Sequence, residues 1–210
     1  MLVNEVVTGA AAVPDSRKFL GGTPDGLDQD EWPHCRQCDQ PMSHLLQTNE
    51  LTPDLPLNGQ LLNVFMCQNE ATIGGCESWN RDGGANAVLI RSLGAGTTGV
   101  PPQVELLPQT PFTLVASDDG IDPETHAKFF TREYHNLPDG VRAAHHATAA
   151  QFGGSPTWIQ GSVEGPSAPY VFAGMFDERP WDRGANFGNG IAYLFVDLGS
   201  PAQGQIFWQC

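Results

Sequence analysis

Four of the five cysteines lie between Trp32 and Trp79, as Cys35, Cys38, Cys67 and Cys76, in the spacing C-x2-C-x28-C-x8-C. Two residues between cysteines let one tight turn present two thiolates to a single tetrahedral ion. An ion that takes all four must close the whole segment on itself. The second pair follows an apolar run, Leu61-Leu62-Asn63-Val64-Phe65-Met66, which reads as a strand entering the site. Pro33 precedes the first pair and Pro41 follows it. These prolines oppose the helix start that a thioredoxin-like redox pair requires. The expectation is a structural four-cysteine zinc site, with a redox pair and uncoordinated core thiols as the alternatives. Four thiolates favour zinc among the metals.

The chain has 210 residues, enough for one large domain or two small ones. Apolar residues make up 40%, so a packed core can form. The 24 glycines and 17 prolines disfavour a helical bundle and favour short strands joined by turns. The formal charge is −14, from 24 acidic and 10 basic residues. Such a chain repels phosphate backbones and attracts basic proteins, so nucleic acid is not an expected partner. The N-terminus, MLVNEVVTGAAAVPDS, lacks the basic region of a signal peptide and carries Glu5 within its apolar part. No window holds the roughly 18 apolar residues that span a bilayer. No membrane association is expected, and the location expected is the cytoplasm. In that reducing compartment a C-x2-C pair reads as a metal site rather than a disulfide.

Taken in order, residues 1–17 read as an N-terminal arm. Short strands are expected at 42–46, 60–66 and 85–93, with Asn58-Gly59 as a turn. Gly94-Ala95-Gly96-Thr97-Thr98-Gly99 fits G-x-G-x-x-G, but Pro101-Pro102 follow at once and deny it the helix a phosphate loop must open. Residues 96–149 read as a linker with helices. Val104 to Val115, with Pro108 and Pro111, is extended at best. Asp118-Asp119-Gly120-Ile121-Asp122 lacks the ligand spacing of a calcium loop. Asp122-Pro123 reads as an N-cap and first helical residue, opening a helix through Phe129, Phe130 and Tyr134. A second helix is expected over about 141–151. His126, His135, His145 and His146 show no metal-binding spacing and read as exposed or capping side chains. Cys210 reads as a buried apolar side chain.

An internal repeat emerges from three matches. Phe152-Gly153-Gly154-Ser155-Pro156 echoes Leu20-Gly21-Gly22-Thr23-Pro24 at an offset of 132. The segment from Asn189 echoes that from Asn58 at 131, and Trp208 echoes Trp79 at 129. Two copies of one β-rich unit are expected, at 18–95 and 150–210, packed together as one body. The second copy lacks the cysteines and is rich in aromatic residues, so one copy would be stapled by metal and the other by an aromatic core. The fold class expected is α+β, mostly antiparallel β, with two similar β-rich halves and a helical connection.

The cysteine block, C-x2-C-x-x-P-M-x-x-L-L-Q followed by L-x-x-F-M-C-x-N and a further Cys before Trp, resembles the N-terminal half of the programmed-cell-death-protein-2 family. The G-G-x-P units, W-I-Q at 158–160, M-F-D at 175–177, G-N-G-I-A-Y-L-F-V and the W-Q-C end resemble the bacterial YwqG-like proteins. The resemblance implies a duplicated domain, metal ligands at Cys35, Cys38, Cys67 and Cys76, and no catalytic residues. For the eukaryotic relatives it implies a chaperone of a basic ribosomal protein; for the bacterial ones it implies no settled function. The function expected is protein binding, chaperone- or adaptor-like, with an acidic surface for a basic client and a structural zinc. An immunity-type protein neutralising a basic toxin is the alternative. A hydrolase using Asp177, Glu178 and Arg179 is a third reading.

Overall fold

The computed structural model describes residues 1–9, 17–69, 75–92, 98–142, 149–160, 165–181, 184–199 and 201–210. Ten strands form: β1 Leu2–Thr8, β2 Phe19–Leu20, β3 Ser43–Thr48, β4 Gln60–Met66, β5 Asn86–Ser92, β6 Thr110–Asp118, β7 Ala150–Gly153, β8 Val171–Phe176, β9 Ile191–Asp197 and β10 Gln203–Gln209. They close into a barrel in the order β1-β6-β2-β3-β4-β5-β10-β9-β8-β7, with every pairing antiparallel. The mostly antiparallel expectation holds. The helical connection is far smaller than expected. Among the described residues it comprises α1 Pro123–Lys128, a 3-10 turn Arg132–Asn136 and α2 Asp139–Arg142.

The expected start of α1 is present: Asp122 accepts from the Glu124 and Thr125 amides, with Pro123 first in the helix. The helix stops short because its apolar residues are spent on one contact. Phe129 and Tyr134 turn inward against the barrel wall, and Thr131 recaps a separate 3-10 turn. The second expected helix gives way by residue 150, where Ala150, Gln151 and Phe152 pair with β8. Within the expected arm, residues 2–8 are a strand, and residues 10–16 lie outside the described residues. Leu2 to Thr8 pair with β6 over their full length, and Val3 to Glu5 also pair with β7. Val3 and Val6 are buried by those pairings, and β1 closes the ring.

Inside the ring a single apolar cluster takes residues from all ten strands, among them Val6, Leu20, Leu46, Val64, Val88, Phe112, Phe152, Phe176, Leu194 and Ile206. The lumen is therefore a packed core. Two further clusters lie on the outside. One covers the β3–β5 wall with Leu27, Trp32, Met42, Phe65 and the cysteines. The other covers the β8–β10 wall with Phe129, Tyr134, Trp158, Tyr193, Phe195 and Phe207. Strands covered on both faces read as unbroken apolar runs, which explains why β4 and β9 stand out in the sequence.

The ring order is unchanged when β1–β5 are exchanged with β6–β10. Local detail follows the same exchange. Gly21 and Gly22 (φ +62° and +65°) correspond to Gly153 and Gly154 (φ +73° and +71°). A register irregularity between His44 and Leu46 in β3 matches one between Phe172 and Gly174 in β8. Asn58-Gly59 and Gly188-Asn189 are the positive-φ pairs of two hairpin turns, closed by Gln60 N–H to the Leu57 carbonyl and Gly190 N–H to the Phe187 carbonyl, each 2.9 Å. The structural offset there is 130, one less than the sequence echo suggests, because the Asn-Gly order is reversed. Trp79 and Trp208 are not equivalent. Trp208 lies within β10 and Trp79 precedes β5, and the two rings pack edge-on at 5.9 Å.

Candidate metal centre

The first cysteine pair is built by a tight turn. An isolated bridge joins His34 to Pro41. Cys35 N–H donates to the Gln40 carbonyl at 2.9 Å, and Asp39 N–H to the Cys35 carbonyl at 2.8 Å. Asp39 takes a left-handed φ of +58°, which lets the chain reverse. The second pair comes from the end of β4 and the loop beyond. Cys67 directly follows the strand and its N–H donates to the Ala85 carbonyl at 2.8 Å; the Cys76 carbonyl accepts from Ser78 N–H at 2.7 Å. The intervening residues 70–74 lie outside the described residues.

Gln37 joins the two turns. Its amide N–H donates to the Gly83 carbonyl at 2.8 Å, and its carbonyl accepts from Glu77 N–H at 3.0 Å. Arg36 N–H adds a bond to the Gly84 carbonyl at 2.9 Å. Gly84 must be glycine here: its φ is +73°, and a Cβ would stand 2.6 Å from the Arg36 side chain. Gln37 does not stand out in the sequence; the Gly83-Gly84 pair shortly before β5 was the only readable signal.

The four sulfur atoms lie within 4.8 Å of one another, and Cys38 Sγ is 3.7 Å from Cys67 Sγ. A tetrahedral ion with bonds of about 2.3 Å to sulfur has sulfur–sulfur edges of about 3.8 Å, so the donor set fits such an ion. None of the four is in a disulfide. Cys35, Cys67 and Cys76 are buried and Cys38 is half-buried. Burial pushes the Cys67 thiol well up, reinforced by the neighbouring thiols Cys38, Cys76 and Cys35. Burial also works against ionising Cys38, but hydrogen bonds from the Asn69 side chain, the Gln40 backbone, Cys76 and Cys67 outweigh it and bring that thiol down to about 7. Bare thiolates cannot share so small a space; a bound dication reverses this by favouring ionisation of all its ligands.

The wall beneath is rigid. Trp32 donates its indole N–H to the Met42 carbonyl at 2.8 Å and meets Phe65 edge-on at 5.4 Å. Beside Phe65 sits His44, fully buried, with Nδ1 2.8 Å from the Gly21 carbonyl and 3.2 Å from that of Gly22.

The other singled-out residues lie apart from this cluster. Cys210 is exposed, not buried, and directly follows β10. Asp177 pairs with Arg179, and the Glu178 carboxylate accepts from the Phe187 and Asn189 amides, so both tie down the β8–β9 loop. His126 bonds to Ser155 Oγ at 2.7 Å, and His135 packs on Tyr134. His145 and His146 lie outside the described residues. Residues 94–97 of the glycine motif do too. Thr98 donates to the Pro24 carbonyl at 2.6 Å, and Gly99 N–H to that of Leu27 at 2.9 Å.

Fold and cluster together define a closed antiparallel β-barrel carrying a four-cysteine centre on its outer wall. Comparison with protein-family models and with curated proteins yields no match to this chain. Among the described residues no helix is long and apolar enough to cross a membrane.

Proposed function

We propose that Cys35, Cys38, Cys67 and Cys76 hold one structural zinc ion, and that the barrel it braces is a cytoplasmic protein-binding module, chaperone- or adaptor-like, for a basic protein client. The observation that carries the metal is the approach of four sulfur atoms to within 4.8 Å of one another in a mostly buried pocket. Four protein ligands leave no open position, which suits a structural rather than a catalytic ion. The client reading is supported by the charge of −14, which favours encounter with a positively charged surface and disfavours a phosphate backbone. The ring order that survives exchange of β1–β5 with β6–β10 supports a duplicated unit, in line with the family resemblance. One copy is faced by the metal turns and the other by aromatic side chains.

The test pairs elemental analysis with affinity capture. Purified protein is expected to contain one zinc per chain, and Cys67→Ser to contain none. Capture followed by mass spectrometry should return a basic protein whose binding weakens as salt rises. Metal-free protein with four freely titrating native thiols would remove the metal half of the proposal. Capture that is indifferent to salt would remove the client half.

A further inference from the structure

The loop that carries Cys76 does more than supply a ligand. Residues Trp79 to Asp82 arch from the metal turn toward the second half of the barrel. Together with Gly165 and Phe207 they line a cavity of about 430 Å³. Its floor is the outer face of β10, where the metal-faced and aromatic-faced walls meet. Trp79 is 45% exposed, an unusual state for the largest apolar side chain, and it is propped edge-on against Trp208, whose indole N–H is anchored on Ser78 Oγ at 3.1 Å. The Asp82 carboxylate is exposed. Its backbone N–H donates to the Asn80 side chain at 3.0 Å, which fixes the loop around it. Gly165 lines the opposite side, and a Cβ there would stand 3.1 Å from the Phe195 ring.

We propose that this cavity is a slot for a single basic side chain, lysine or arginine, presented by a protein client. The chemistry at its walls is that of cation recognition: an exposed indole ring and an exposed carboxylate, on a chain of net charge −14. Among the described lining residues the one cation is Arg81, which is matched to Asp82 at 3.1 Å. An exposed pair of adjacent residues contributes little against water, so an incoming guanidinium can take the carboxylate in its place. The slot rests on the client reading above and gives that client a specific point of attachment on the seam between the two halves.

The test uses the full-length metal-loaded protein and three fluorescein-labelled peptides of equal length, Arg-Gly, Ser-Gly and Glu-Gly repeats, followed by anisotropy. The Arg-Gly peptide is expected to bind and the other two are not. Trp79→Ala leaves the net charge untouched, yet should weaken Arg-Gly binding about fivefold, the loss of one cation–aromatic contact. Asp82→Asn, at an exposed position, should weaken it and flatten its salt dependence. If Trp79→Ala loses metal or unfolds early, Asp82→Asn alone decides. Arg-Gly binding that neither variant changes overturns the slot while leaving a diffuse acidic surface for clients. No binding of Arg-Gly by the parent protein, or preference for Glu-Gly, overturns slot and client reading together.

Discussion

His44 shows how a single side chain can set the acid limit of the fold. It is fully buried between Phe19 and Phe65, and burial lowers its pKa to about 4, although the Gly21 and Gly22 carbonyls and Asn63 favour the charged form. Two carbonyls facing Nδ1 require the neutral ring to carry its proton there. The unfolded chain binds a proton near pH 6.5 that the folded chain refuses until about pH 4. Stability from this group is therefore complete above pH 6.5 and declines as pH falls toward 4, by about 3 kcal/mol in all. His44→Gln should be less stable at pH 7 but show a shallower decline in chemical denaturation between pH 6.5 and 4.5. Both proteins retain the cysteine cluster, so its acid lability cancels in the comparison. Parallel stability curves would rule His44 out as the cause. At this scale the four cysteines were legible because a C-x2-C spacing fits one tight turn and brings two thiols together. His44 and Gln37 were not. A polar residue in a strand or turn reads the same whether it faces water or joins two segments, and only the chain's closure decides.

Among the elements, the long central strands were legible and the ring-closing ones were not. β4 and β9 announce themselves because both of their faces are covered. β1 carries Asn4 and Glu5 amid its apolar residues, and β2 has only two residues. Neither pattern indicates a partner; each becomes a strand because β6 supplies one. The helices were over-read for a related reason: aromatic residues at 129, 130 and 134 suit a helix face, but here they pack on the outside of β8 and β9. The closure also predicts a cost. Gly59 and Gly153 both have positive φ, +81° and +73°, but a Cβ on Gly59 meets open space, while one on Gly153 would stand 2.7 Å from the Leu2 carbonyl oxygen at the β1–β7 junction. Gly59→Ala should cost about 1–2 kcal/mol, the left-handed backbone alone. Gly153→Ala should cost about 1–3 kcal/mol more, from overpacking against β1. Equal losses in denaturant titration would mean that β1 yields freely and does not close the ring.

For the molecule as a whole, the two outer layers differ in what holds them, and the ring has one thin joint between them. β4–β5 and β9–β10 each pair over seven positions, whereas β5 and β10 meet in register only at Val88 and Gly204. The aromatic layer over β8–β10 is held by burial and by side-chain hydrogen bonds such as Trp158 Nε1–H to the Phe129 carbonyl at 2.7 Å, with Trp158, Phe195 and Phe207 stacked within 6.5 Å of one another. The layer over β3–β5 has four cysteines at its centre and fewer large rings. Removing a bound ion should leave the first wall with crowded cysteines that must take up protons and no equivalent packing to replace the ion. Loosening should then stop at the β5–β10 joint, where little backbone pairing carries it onward. With a strong chelator at pH 7.5, amides of 43–48, 60–66 and 86–92 are expected to exchange about tenfold faster or more, a loss of at least 1.4 kcal/mol of local protection, while those of 171–176 and 191–197 change less. Zinc should restore the slow rates, and Cys67→Ser should mimic chelation without responding to zinc. A uniform loss across both walls would mean that the barrel opens as one cooperative unit and that the ion braces the whole ring. No change in either wall would mean that lumen packing alone carries the stability and the cysteines only decorate it.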